Sequence, residues 1–230
     1  MTYLVGSDYT SYPYTSLCYI VSTWSDGHVS DGSGVMVGPN DVLTAAHMLW
    51  DDSGFATSVT VYPGYNDGSA PFGQYAGAEL SAYTWDVLGA DGNAGQDGRF
   101  FPYESQWDVG VIGLNTNVGY QTGWFGIDSG GYSGWYFGTG YPDDTDNAVT
   151  GFPQMSQDYG YAAYDDTYWT YDYGEGFSVS PGNSGGPLWY TDAGGFPYVI
   201  GICSTSTSAA DVGFTFDQVQ AWMNNDYLLV

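Results

Sequence analysis

Short alternating or apolar runs recur along this chain, each bounded by Gly, Asp, Asn or Ser. They are Cys18 to Trp24, Gly34 to Val37, Val59 to Tyr62, Val109 to Leu114, Gly134 to Gly140 and Tyr198 to Ser204. Turn residues at this density, between runs of that kind, predict an all-β sandwich or barrel. Gly is abundant, at 35 residues, and aromatics make up 19% of the chain, which suits strands and tight connections. One segment carries a different period. Phe216, Val219 and Met223 fall at helical spacing, which predicts a C-terminal helix over about 217–224 with Asp217 as its N-cap.

The length of 230 residues fits one compact unit or two small subdomains and can bury a substantial core. No stretch approaches the ~20 apolar residues of a membrane span. Met1 to Ser16 has neither a basic start nor an apolar centre and does not read as a signal peptide. Cys18 and Cys203 are the only cysteines, and without a Cys/His cluster they give no zinc site.

Candidate chemistry lies in three places. Ser180-Pro181-Gly182-Asn183-Ser184-Gly185-Gly186-Pro187-Leu188 sets one serine among glycines. Glycine lets the backbone fold sharply enough to aim two amide N–H groups at one point, where a tetrahedral intermediate's oxygen can sit. Taken alone, the same run is an ordinary surface turn. Val42-Leu43-Thr44-Ala45-Ala46-His47 ends an apolar run in small residues and an imidazole, leaving room for other groups to approach the ring. Trp107-Asp108-Val109-Gly110-Val111-Ile112-Gly113-Leu114 puts one carboxylate at the head of an alternating strand. A serine hydroxyl is a poor nucleophile until a base takes its proton, and the base needs a carboxylate to fix its tautomer. All three residue types are present, in the order His, Asp, Ser.

With these boxes the chain resembles the chymotrypsin-like serine proteases, from about Ser33 to the C-terminus. Within that family it is most similar to the bacterial glutamyl endopeptidases. The shared elements include Ala70-Pro71-Phe72-Gly73, Leu114-Asn115-Thr116-Asn117-Val118-Gly119, Gly140-Tyr141-Pro142 and Val199-Ile200-Gly201-Ile202. The Pro-Gly-Asn-Ser-Gly-Gly-Pro-Leu wording also resembles the Deg-type proteases, but no residues remain for their extra peptide-binding domain. The resemblance implies two antiparallel six-stranded β-barrels with a C-terminal helix packed on the second. Residues 1–122 would form the barrel carrying His47 and Asp108, and residues 123–230 the barrel carrying Ser184 and the specificity pocket. It implies His47 as general base, Asp108 as its orienting partner, Ser184 as nucleophile, and the N–H groups of Gly182 and Ser184 as the oxyanion hole. It implies no cofactor and no metal.

Departures from the family pattern bear on specificity. Asn183 replaces the aspartate that captures a new N-terminus in the vertebrate enzymes, so activation by that ion pair is not expected. Met48 follows His47, so the disulfide beside the histidine is absent. Cys203 stands where the glutamyl branch has a carboxylate-reading histidine, and a neutral Cys offers no charge-assisted hydrogen bond. Ser178 stands where trypsins carry an aspartate. The implied pocket of Ser178, Val179, Ser180, Cys203, Ser204 and Thr205 is small and uncharged, and predicts a neutral residue just before the scissile bond. Cys18 and Cys203 fall in strands of different barrels and are expected as buried free thiols, with a bridge as the alternative.

The charge adds a further constraint. With 26 acidic residues and a single basic one, Arg99, the formal net charge is −25. That field excludes nucleic acid and anionic membrane as partners and destabilises the compact state unless salt screens it. Three explanations compete: a saline habitat, an acidic one, or selection against cleavage sites for trypsin-like proteases, the chain itself included. An unperturbed His titrates near about 6.5 and must be neutral to act as a base, so acidic conditions fit poorly. A saline extracellular setting is favoured.

The expected protein is a secreted, monomeric, halophilic serine endopeptidase acting on protein or peptide. The alternative is a catalytically inactive protease-fold protein binding glycan or protein through aromatics such as those of Tyr159 to Tyr173, which otherwise read as strand and loop packing. Asp143, Asp144 and Asp146 read as a solvated loop rather than a calcium site, and His28 as a surface histidine.

Overall fold

The computed structural model describes residues 3–51, 53–84, 102–143 and 151–226. Six strands close the first barrel: β1 (Leu17–Thr23), β2 (Val29–Met36), β3 (Asp41–Thr44), β4 (Ser58–Pro63), β5 (Tyr75–Ala82) and β6 (Gly110–Leu114). Around the ring the order is β1-β2-β3-β6-β5-β4, all pairs antiparallel. A second set comprises β7 (Gly134–Gly140), β8 (Ser156–Asp165), β9 (Thr170–Tyr173), β10 (Pro187–Thr191), β11 (Pro197–Cys203) and β12 (Ser208–Asp211). Its ring order, β7-β8-β9-β12-β11-β10, repeats the first barrel's connectivity. The expected pair of six-stranded barrels is therefore present. Closure leaves neither barrel with an open edge for stray pairing.

The six runs read from the sequence all lie on strands, within a few residues of their bounds. The Tyr159 to Tyr173 region, read as strand and loop packing with a glycan surface as the alternative, supplies β8 and β9. Along β8 burial alternates with the strand period. Ser156, Asp158, Gly160 and Ala162 face inward, while Tyr159, Tyr161 and Ala163 face solvent. Gly160 is required there, because an added Cβ would meet the Phe177 ring at 2.6 Å.

One apolar cluster runs through both barrels. Ile20, Val35, Val61 and Ile112 of the first join Trp189, Val199 and Ile202 of the second. Each such side chain stabilises the fold by about 1.5–3 kcal/mol through burial, so the cleft between the barrels has stiff walls. Tyr3–Leu4 crosses to pair antiparallel with β8.

The C-terminal helix spans Phe216–Asp226, starting one residue earlier than expected. Thr215 therefore occupies the cap position and its carbonyl takes the first helical N–H groups, while Asp217 lies in the first turn, where the helix dipole still favours a carboxylate. The helix packs on β6 of the first barrel, not on the second as the resemblance implied. Val219 enters the core and Trp222 meets Tyr83 at 5.1 Å, because the apolar face matches the aromatic rim of that barrel. Cys18 on β1 and Cys203 on β11 are separate buried thiols. His28 stacks on Trp24 and pairs with Asp26 at 2.7 Å. Asp144 and Asp146 of the acidic loop, and Arg99, lie outside the described residues.

Candidate active site

Strand β3 delivers the chain to Ala45, after which a single tight turn, Ala46–Met48, sets the direction of His47. Ala45 and Ala46 are fully buried, and their small side chains let the turn sit flush against the barrel. Asp108 is also fully buried, just before β6. Its Oδ1 accepts the His47 backbone N–H at 2.9 Å, and its Oδ2 lies 2.7 Å from His47 Nδ1. A third donor arrives from the other barrel, where Ser204 Oγ donates to the same Oδ2 at 2.7 Å. A carboxylate this far from water needs donors on both oxygens, and it has them. Burial alone would push the His47 imidazole down. The Asp108 charge and hydrogen bond together outweigh that effect, and the net shift is upward.

The loop carrying Ser184 depends on two glycines. Gly182 and Gly185 have φ of 89° and 81°, and a Cβ on either would strike backbone, the Tyr141 carbonyl and the Ser33 carbonyl respectively. Ser33 on β2 ties this loop to the first barrel. Its N–H donates to the Ser184 carbonyl at 2.7 Å, and its hydroxyl donates to the Gly182 carbonyl at 2.7 Å while accepting the Tyr141 N–H at 3.0 Å. A Cβ at Gly32 would touch both Met48 Sδ, at 2.7 Å, and the Ser184 carbonyl, at 2.9 Å. The residue after His47 and the backbone of Ser184 therefore flank the same point. Among the described residues, the N–H groups of Gly182 and Ser184 have no hydrogen-bond acceptor, although their neighbours Asn183, Gly185 and Gly186 all do.

Beside this loop lies a small pocket, with Val179, Asn183, Cys203, Tyr173, Phe177 and Asp158 on its walls. Of the six pocket residues read from the sequence, Val179 and Cys203 line it. The other four lie outside its lining. Ser178 gives its backbone N–H to Asp158 Oδ2 at 2.7 Å, and the Ser180 carbonyl accepts the Asn183 N–H at 3.1 Å. Ser204 holds Asp108, and Thr205 bonds Ser208 Oγ at 2.9 Å in the β11–β12 turn. Burial pushes the Cys203 thiol up to about 12, so it is neutral, and it is hydrogen-bonded to the Tyr173 hydroxyl.

Asp158 escaped the sequence reading. It lies on β8, opposite Gly138 of β7, and is only 7% exposed. Its Oδ1 has no hydrogen-bond partner among the described residues. The signal was a carboxylate in the inward phase of an alternating segment, but the segment had not been read as a strand.

A family model described as a trypsin-like peptidase domain matches residues 32–202, most of the chain and the stretch that carries His47, Asp108 and Ser184. The chain belongs to that family. As a trypsin-like peptidase it is 27% identical over 95% of its length to a Bacillus subtilis protein named extracellular metalloprotease. It is 31% identical over 51% of its length to the glutamyl endopeptidase of Bacillus licheniformis. Those matches span 66% and 32% of the two relatives' own lengths. Among solved structures it is similar to a Glu endopeptidase bound to MPD, with a TM-score of 0.73, 22% identity, and 96% of this chain and 95% of that one covered. It is also similar to the protease Anisep of Arthrobacter nicotinovorans, with a TM-score of 0.69, 22% identity, and 92% and 98% covered.

The first relative's name implies a metal, and the described residues of this peptidase do not fit one. Nδ1 of His47 is taken by Asp108, and among the described residues no three His, Cys, Asp or Glu side chains converge.

Proposed function

We propose that this trypsin-like peptidase is a secreted serine endopeptidase working through an acyl-enzyme. Ser184 is the nucleophile, His47 the general base and Asp108 the residue that holds the base. The observation that carries the reading is the 2.7 Å contact from His47 Nδ1 to a fully buried Asp108, reinforced by the His47 backbone N–H on the other oxygen. A proton fixed on Nδ1 leaves Nε2 unprotonated, the form needed to accept the Ser184 proton. The serine then attacks the peptide carbonyl, and the N–H groups of Gly182 and Ser184 stabilise the oxyanion. The imidazolium, steadied by Asp108, gives its proton to the leaving amine. Water repeats the sequence on the ester and frees the acid product. No helix among the described residues is long and apolar enough to cross a membrane, and an extracellular setting accords with the first relative's name and with the charge. We also propose a monomer that takes protein or peptide substrates in a saline medium.

The uncharged walls given by Val179 and Cys203 favour a neutral substrate residue before the cut. Asp158 also stands on the pocket wall, where its Oδ2 accepts the Ser178 N–H at 2.7 Å. A second reading, a non-catalytic binding protein, draws on the exposed rings of Trp135, Tyr159 and Tyr161, which meet at 5.5 Å and 6.1 Å. Incubation with a fluorophosphonate followed by peptide mass mapping separates the two. The enzyme gains one adduct at Ser184. Glycan binding without any adduct would overturn the enzyme reading.

A further inference from the structure

We infer that the groove between the β2–β3 turn and the C-terminal helix binds a small organic cation, a guanidinium or alkylammonium ion, with the Asp41 carboxylate as its counter-charge. The site is separate from the cleft at Ser184 and does not depend on what that serine does.

Three segments build the groove. The β2–β3 turn gives Pro39 and Asp41, the stretch after β6 gives Asn117 and Tyr120, and the helix gives Gln220 and Asn224. They enclose about 420 Å³, room for a ligand the size of an amino acid. Asp41 opens β3 and pairs with Gly113 near the end of β6. His47 follows the other end of β3, and Asp108 precedes the other end of β6. The strand pair therefore spaces the groove from the candidate active site.

Asp41 is the group that calls for a ligand. It is 4% exposed, yet Oδ1 has no hydrogen-bond partner among the described residues. The turn does not use the carboxyl. The Val37 N–H donates to the Asp41 main-chain carbonyl at 2.9 Å, and the Gly119 N–H donates to the Pro39 carbonyl at 2.8 Å. Gly38 leaves the carboxyl its space, because a Cβ there would collide with Oδ2. Burial acting alone pushes the carboxyl up to about 6, so near pH 7.5 it still carries its charge. A buried carboxylate without donors is costly, and a bound cation with N–H groups removes that cost. Among the described residues there is no Lys or Arg to do so.

The rest of the lining suits the same ligand. Gln220 donates one amide N–H to Met223 Sδ at 3.6 Å, and its amide oxygen, with those of Asn117 and Asn224, gives neutral acceptors for further N–H groups. Tyr120 is 71% exposed and stands edge-on to Trp124, with ring centroids 5.9 Å apart, which presents an aromatic face to a planar cation. Asp41 is the one carboxylate among the lining residues, whereas a divalent metal ion takes several charged oxygens packed closely around it. The net charge of −25 draws cations to the whole surface, and the groove gives one of them a fixed partner.

The test is calorimetry at pH 7.5 in 0.1 M sodium chloride with butylguanidine, butylamine, calcium chloride, and butylurea, the uncharged match of butylguanidine. The proteins are wild type, Asp41→Asn, Tyr120→Ala and, as a control of equal charge, Asp166→Asn, an exposed carboxylate of the second barrel. Wild type should bind one butylguanidine or butylamine per chain. Asp41→Asn should weaken that binding about tenfold or more, and butylurea should bind wild type more weakly by a similar factor. Tyr120→Ala should weaken butylguanidine about threefold, and Asp166→Asn should leave it within about twofold. Butylguanidine should also slow amide hydrogen exchange at the β2–β3 turn and in the C-terminal helix. Equal binding to wild type and Asp41→Asn, equal binding of butylurea, or no saturable binding would overturn the assignment. So would calcium binding tighter than that of butylguanidine and lost in Asp41→Asn, which would make this a metal site. Should Asp41→Asn fail to fold, Tyr120→Ala and the exchange pattern decide, and an unchanged affinity or an absence of protection there would overturn the assignment. Fluorophosphonate labelling and peptide turnover should be alike in wild type and Asp41→Asn, so a failure of the enzyme reading would show separately.

Discussion

The Ser204 hydroxyl donates to Oδ2 of Asp108 at 2.7 Å, on the oxygen that also faces the His47 ring. Ser204 follows β11 of the second barrel, and Asp108 precedes β6 of the first. The bond therefore locks the base's carboxylate to the barrel that holds the nucleophile. Hydrogen bonds to charged groups contribute about 1.5–3 kcal/mol. Ser204→Ala should lower kcat by roughly tenfold or more while KM moves little, with Ser204→Thr restoring part of the loss. A drop in kcat of less than twofold would mean that the bond does not position Asp108.

The pH profile should report His47. Neutral imidazole is the working form, and the net shift is upward despite burial. Plotted against pH, kcat/KM should rise through a midpoint above about 6.5, the ordinary His value. Asp108→Asn removes the charge that raises the ring and leaves the burial that lowers it, so the midpoint should fall. The rate should drop on the order of 10⁴, because the amide favours the wrong tautomer. A wild-type midpoint below 6, or one unmoved in the variant, would contradict this account.

The fold class and the three chemical boxes were legible because each is written locally. Strand runs are punctuated by Gly and Asp, His47 follows two alanines, Asp108 heads an alternating run, and Ser184 sits among glycines. Contacts made by register were not legible. Asp158 reaches the pocket only because Gly138 lies opposite it on β7, and Ser33 grips the Ser184 loop only because the barrels meet there. Strand β8 was not among the six runs because its exposed phase is aromatic, which suits strand and loop packing alike. The bond from the Ser204 hydroxyl to Asp108 was not legible either, since the place of Ser204 in the chain does not show where its hydroxyl turns. The helix start was misplaced by one residue because Thr215 and Asp217 are both good caps and only the backbone decides between them.

Two buried carboxyls should make the fold more stable in mild acid. Burial pushes Asp41 and Asp211 up to about 6 each, against an ordinary 3.8. Between those values the folded state binds protons that the unfolded chain does not, so stability grows as pH falls through about 6 and levels off below about 4. In 1 M salt, which screens the general repulsion, the melting temperature at pH 5 should exceed that at pH 7.5. Asp41→Asn should narrow the gap. An equal or lower value at pH 5 would contradict the assignment.

Salt should stabilise the protein at neutral pH. Nearly every charge has one sign, and the screening length falls from roughly 30 Å at 0.01 M to about 3 Å at 1 M. The melting temperature should climb steeply across that range. A flat response would leave avoidance of basic cleavage sites as the better account of the composition.

The central claim is that Ser184 performs the chemistry, and the most direct measurement is peptide hydrolysis by Ser184→Ala. The substitution removes one oxygen from a loop otherwise held by Ser33 and two glycines, so circular dichroism and melting temperature should match wild type. Turnover should fall by about 10⁴ to 10⁶. A correctly folded variant keeping more than about a tenth of wild-type kcat/KM, a loss of under about 1.4 kcal/mol in transition-state stabilisation, would contradict it.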